Sequence, residues 1–76
     1  MMRILDVDTK KTYSIEKITE ELKRDSGTIS FLQNHNMVPG NKITVADSGD
    51  FSITISVNKD DYFGIDKFIA QRVYVA

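Results

Sequence analysis

Phe31-Leu32-Gln33-Asn34-His35-Asn36-Met37-Val38-Pro39-Gly40-Asn41-Lys42-Ile43-Thr44-Val45 holds a helix end, a turn and the start of a strand within fifteen residues. The spacing predicts a short apolar helix that stops near Asn36. Asparagine is one of the few residues besides glycine that tolerates the left-handed conformation found at many helix ends. Pro39, the only proline of the chain, cannot extend the helix: it has no N–H to donate, and its ring collides with the preceding turn. Gly40 permits a tight reversal. Beyond it Ile43 and Val45 alternate with Lys42 and Thr44, the two-residue period of a half-buried strand.

The alternation continues downstream. Phe51, Ile53, Ile55 and Val57 alternate with Ser52, Thr54 and Ser56, which predicts a strand over 51–57 with one apolar and one polar face. Asp47-Ser48-Gly49-Asp50 has the length of a hairpin loop, and Asn58-Lys59-Asp60-Asp61 reads as a second turn. Tyr62 to Ile65 reads as a short strand, weakened or bent by Gly64. Asp66 is placed to cap a helical turn carrying Phe68, Ile69 and Ala70. Val73 and Val75 then alternate with Arg72 and Tyr74 in a closing strand. The expected core comprises Ile43, Val45, Ile53, Ile55, Phe68, Val73 and Val75.

Upstream, residues 6–11 are polar and read as a turn between two short strands, the second carrying Tyr13, Ile15 and Lys17 on one face. Residues 15–24 admit two readings. Ile15, Ile18 and Leu22 recur at i, i+3 and i+7, and Glu20 and Glu21 are good helix formers, which points to a helix. A strand followed by a helical turn fits the same residues. Asp25 or Ser26 can cap a helix over about 27–36. Its buried side is Ile29, Leu32 and, past its end, Met37, with Phe31 alongside. The total is mainly β: five or six short strands in a small closed or nearly closed barrel, with one short helix at one end.

Seventy-six residues make one domain with one small core. With 41% hydrophobic and 28% charged residues, the composition is that of a folded globular chain. The absence of cysteine removes disulfides, thiolate zinc sites and thiol nucleophiles. No apolar run approaches the roughly 20 residues that span a bilayer, and Met1 to Asp6 lacks the apolar core of a signal peptide. A formal net charge of −1 with dispersed lysines gives no steering toward DNA or an anionic membrane.

The stretch from Leu32 to Val45 resembles the L-x-x-x-G-[ILM]-x-P-G-x-x-[IV]-x-V signature of FeoA-type domains, with Asn36 in place of the usual glycine. The order of elements matches that family over residues 12–76, closing on Ala70-x-x-Val73-x-Val75. The resemblance implies an SH3-like barrel and a single FeoA-type domain over 1–76. For 15–24 it selects a strand over 12–19 and a helical turn at 20–24. Such domains occur alone as FeoA and at the C-terminus of metal-dependent repressors of the diphtheria-toxin-repressor family. Tyr13 to Glu21 is similar to the repressor branch, where a strand V-x-x-I-x-E precedes the helix. There the domain can lend a carboxylate and an amide, three residues apart, to an ancillary metal site. Glu20 falls on the carboxylate position, and Lys23, whose ammonium cannot ligate a cation, falls on the amide position.

The resemblance implies a non-enzymatic, cytoplasmic regulatory or protein-interaction module in iron or manganese homeostasis, in the first place the C-terminal domain of a metal-dependent transcriptional repressor, with a stand-alone FeoA protein as the alternative. No cofactor is expected in the isolated domain; iron or manganese belongs to the parent regulator. The expected partner is the dimerisation domain of the same regulator or, for a stand-alone FeoA protein, a ferrous-iron transporter. Direct nucleic-acid binding and membrane insertion are not expected. Other constellations are bland. His35, the only histidine, sits where a cation favours a helix C-terminus. Asp6 with Asp8, and Asp60 with Asp61, lack the ligand run of a calcium loop and read as solvated turns. Tyr13, Tyr62 and Tyr74 could stack bases on a nucleic-acid-binding barrel, but no basic residues group around them.

Overall fold

The computed structural model describes residues 1–59 and 61–76. Asp60, read above as part of a turn, lies outside the described residues. Among these the elements run β1 (Met2–Arg3), a 3₁₀ turn (Ile4–Asp6), β2 (Thr12–Ile18), α1 (Glu20–Lys23), α2 (Ser26–Asn34), β3 (Lys42–Ser48), β4 (Ser52–Val57), β5 (Asp61–Asp66), α3 (Lys67–Ala70) and β6 (Val73–Val75). All strand pairs are antiparallel, in the order β1-β6-β2-β3-β4-β5. The molecule is thus a mainly β, SH3-like small barrel. The barrel is not closed: β1 and β5 are the two edges of the sheet. The two strands flanking the 6–11 turn do not pair with each other, because β6 lies between them.

The helix end near Asn36 has a full hydrogen-bonding explanation. Asn36 is left-handed, at φ 59°. Its N–H donates to the Gln33 carbonyl at 3.0 Å, and the Met37 N–H donates to the Leu32 carbonyl at 2.8 Å. These are the two bonds of a Schellman cap, which satisfies carbonyls that the helix cannot reach itself. Such caps bring the residue after the cap onto the last turn, and Met37 and Leu32 are both fully buried. Val38 to Asn41 then makes a type II turn: Pro39 precedes Gly40, whose φ of 97° is open to glycine and strained for other residues. The Asn41 N–H returns to the Val38 carbonyl at 3.1 Å. The turn is sewn to β2, with the Gly40 N–H on the Ile15 carbonyl and the Ile15 N–H on the Asn41 carbonyl, each at 2.9 Å. At the other end of α2 the Asp25 carboxylate accepts from the Gly27 and Thr28 N–H groups at 3.1 and 3.3 Å.

Residues 15–24 form a strand and then a helical turn, and a bulge accounts for their helix-like spacing. Ile15 pairs with Val75, but Lys17 pairs with Tyr74 and Ile18 with Val73. Glu16 and Lys17 together oppose one residue of β6, so the inward face resets. Ile15 and Ile18 are therefore both buried, and Lys17, expected on the face of Ile15, is exposed. A second register shift in β3, between Val45 and Asp47, ends the buried face of that strand.

Of the expected core, Ile43, Val45, Ile53, Ile55, Val73 and Val75 are all buried. Phe68 is a correction, at 53% exposed. On the single turn of α3, Ala70 takes the buried position. The Phe68 ring instead lies under the Arg72 guanidinium, 3.8 Å from the ring centroid. Arg72 is held there by the Glu21 carboxylate at 3.2 Å and the Phe68 carbonyl at 3.0 Å. Phe51 is also corrected: β4 begins at Ser52, so Phe51 falls in the preceding turn and is 87% exposed. Ser56, expected on the polar face, is buried at 2%. It sits in mid-sheet, opposite Thr44 on β3 and Tyr62 on β5. Gly64 pairs in register with Thr54 within β5.

Candidate functional site

The outer face of the sheet follows from the burial of the inner one. With Ile43 and Val57 inward, Thr44 and Lys42 of β3 point out, beside Thr12 and Ser14 of β2 in direct register. The Thr12 and Thr44 hydroxyls are 3.1 Å apart, and the Lys42 ammonium donates to the Ser14 hydroxyl at 3.3 Å. The turn after β4 folds onto this corner through the Asn58 N–H, which donates to the Lys42 carbonyl at 3.1 Å. Asn58 and Lys59 are both left-handed, at φ 56° and 66°. Asparagine tolerates this conformation, whereas lysine takes it only at a cost. A lysine in the second place costs on the order of 1 kcal/mol relative to glycine.

Thr12, Lys42, Thr44, Asn58 and Lys59 line an open cleft of about 470 Å³. Two lysines, two threonines and an asparagine line it, and no acidic residue among the described residues does. The neighbouring Lys11 is engaged elsewhere: its hydrogen bond to Asp8 at 3.0 Å raises its pKa above the ordinary lysine value. This arrangement can hold an anion by flexible, solvated cations, an interaction that salt screens. The sequence marks Asn58 and Lys59 only as a turn, and no local signal ties them to Thr12 and Thr44.

Glu20 is the first residue of α1, and its side chain is 74% exposed. The structure brings it to Lys23, the mapped amide position, as an ion pair at 3.5 Å. Among the described residues no group of three or more His, Cys, Asp or Glu side chains is placed to hold a metal ion. His35 is the cap residue of α2, with its ring against Phe31 and Phe63 and its Nδ1 2.7 Å from the Asp61 carboxylate. Asp6 and Asp8 are paired separately, with Arg3 at 2.7 Å and Lys11 at 3.0 Å. Tyr13, Tyr62 and Tyr74 lie on β2, β5 and β6, and no ring contact joins them among the described residues. No helix among those residues is long and apolar enough to cross a membrane.

An open barrel of six antiparallel strands defines the class of small SH3-like domains. The chain belongs to the FeoA domain family, whose model matches residues 2–76. Three solved structures show the range of its likeness. An iron uptake regulatory protein (FeoA) is 24% identical with a TM-score of 0.79, over 97% of this chain and 93% of that one. A manganese-dependent transcriptional repressor is 10% identical with a TM-score of 0.83, over 99% of this chain and 40% of that one. IdeR of T. acidophilum is 22% identical with a TM-score of 0.76, over 99% of this chain and 33% of that one. At these identities the likeness establishes a shared fold, common to FeoA proteins and to one part of the longer repressors. No curated protein matches the chain by sequence.

Proposed function

We propose that this chain is a non-enzymatic, cytoplasmic binding module that docks on a protein partner in iron handling, as an accessory of a ferrous-iron transporter. The observation that carries this reading is the family match over residues 2–76, together with the near end-to-end superposition on an iron uptake regulatory protein. The metal is handled by the partner; the domain itself has one histidine and no cysteine. The test is capture of the tagged chain from membranes of its native host, with mass spectrometry of what is retained. Enrichment of a ferrous-iron transporter is expected, and its absence under iron limitation overturns the assignment.

A second reading has its own support. The superposition on the manganese-dependent repressor covers 99% of this chain, with a TM-score of 0.83, and Glu20 sits exposed at the start of α1. In that reading the module packs on the dimerisation domain of a metal-dependent repressor, and Glu20 lends a carboxylate to its ancillary metal site. Capture of a DNA-binding regulator, or a gene encoding this chain downstream of a winged helix, selects it.

A further inference from the structure

The cleft at the β2–β3 corner combines three features. Its described lining is cationic and neutral, in a chain whose net charge is −1. The hydroxyls of Thr12 and Thr44 stand side by side on the outer face, and whichever accepts from the other keeps its own proton for a ligand. Lys59 keeps a left-handed backbone that glycine would adopt without strain, and its side chain reaches this cleft. Left-handed residues other than glycine cluster at functional sites.

We infer that this cleft is the docking site for an acidic peptide segment of the protein partner, with Lys42 and Lys59 pairing its carboxylates and one hydroxyl of the Thr12–Thr44 pair donating to it. The inference rests on the protein-binding reading above and names the chemistry of the partner's segment. Lysine is a solvated point charge on a flexible stem, suited to carboxylates carried on an extended chain. A phosphate site would use arginine forks or converging backbone N–H groups. The cleft has no arginine, and the Asn58 N–H is committed to the Lys42 carbonyl. A single-stranded nucleic acid would need an aromatic platform, which the lining lacks.

The test is an amide NMR titration of the full chain with a hexaglutamate peptide. Saturable shifts are expected at Thr12, Lys42, Thr44, Asn58 and Lys59, lost as NaCl rises from about 20 to about 300 mM. Lys59→Gly is expected to raise the melting temperature and to weaken binding about three- to five-fold, while Lys59→Arg retains it. A purely structural role for Lys59 predicts the first effect without the second. Equal binding of hexaglutamine, shifts centred on Lys17 or Lys23, or unchanged affinity in Lys59→Gly would overturn the inference. So would inorganic phosphate or oligothymidylate binding the cleft more tightly than the peptide. A native partner that binds Lys59→Gly as well as the unaltered chain removes the cleft and leaves the protein-binding reading standing. Failure to capture any transporter or regulator removes that reading without touching the peptide result.

Discussion

The His35 imidazole stacks on the Phe63 ring, with 4.0 Å between centroids and 21° between planes. Phe31 completes the group, edge-on to Phe63 at 5.7 Å, and the Asp61 carboxylate accepts from His35 Nδ1 at 2.7 Å. The end of α2 is thereby fastened to β5, an edge strand with no neighbour on its other side among the described residues. Aromatic pairs add about 0.5–1.5 kcal/mol beyond the area they bury. His35→Ala is therefore expected to cost about 1–2 kcal/mol in urea unfolding. A loss below about 0.3 kcal/mol would mean that the stack contributes nothing.

Ile55 is fully buried and Phe51 is 87% exposed, although both belong to one alternating run. Ile55→Ala should destabilise by about 2–5 kcal/mol, and Phe51→Ala should stay within about 0.5 kcal/mol of the parent chain. Denaturant unfolding of both variants checks the register of β4: a small loss for Ile55→Ala would place it one residue off, and equally large losses would extend the buried face to Phe51.

The left-handed Asn36 predicts opposite effects for two substitutions. Asn36→Gly should stabilise by about 0.5–1 kcal/mol, because glycine enters that conformation without strain. Asn36→Val should destabilise by about 1–2 kcal/mol, since a β-branched residue is disfavoured there. Thermal unfolding decides the sign of each.

Asp25 carries a pH dependence. The Thr28 hydroxyl, and after it the Thr28 N–H, hold its carboxyl below the usual aspartate range. A lowered folded value means stability that is present above the unfolded pKa and lost as pH falls through the folded one. The melting-temperature gap between the parent chain and Asp25→Ala should be full near about pH 6 and should close toward about pH 2. A gap that persists in acid would assign the effect to helix propensity instead of the ionised cap.

Glu20 allows a test of metal chemistry. In the isolated chain calorimetry with Mn²⁺ should show no stoichiometric micromolar site, because such ions need several converging donors. Glu20→Ala should change stability by less than about 0.5 kcal/mol, since its pair with Lys23 is exposed. If the chain is part of a repressor, the same substitution should shift the metal midpoint of operator binding, as loss of a contact made only in the active state requires. Identical midpoints would remove Glu20 from that mechanism.

The features legible in the sequence are those set by neighbouring residues. The Asn36 cap, the Pro39-Gly40 turn, the Asp66 cap and the alternation through Ile53, Ile55, Val73 and Val75 each depend on backbone sterics or on a two-residue period. The structure reproduces them, with the Asp66 carboxylate 2.8 Å from the Ile69 N–H. The helix-like spacing of Ile15 and Ile18 could not be settled locally, because a bulge is defined by the strand opposite, and β6 lies more than fifty residues downstream. The exposure of Phe68 has a similar origin. Hydrophobicity says that a phenylalanine gains by leaving water, but Arg72, held by Glu21 from α1, supplies a surface alternative that only folding brings together. The cleft is the clearest case: Thr12, Thr44 and Lys59 are far apart in the chain, and strand pairing makes them neighbours. Local sterics and periodicity wrote the elements, while long-range pairing set the edges, the bulges and the surface on which a partner can dock.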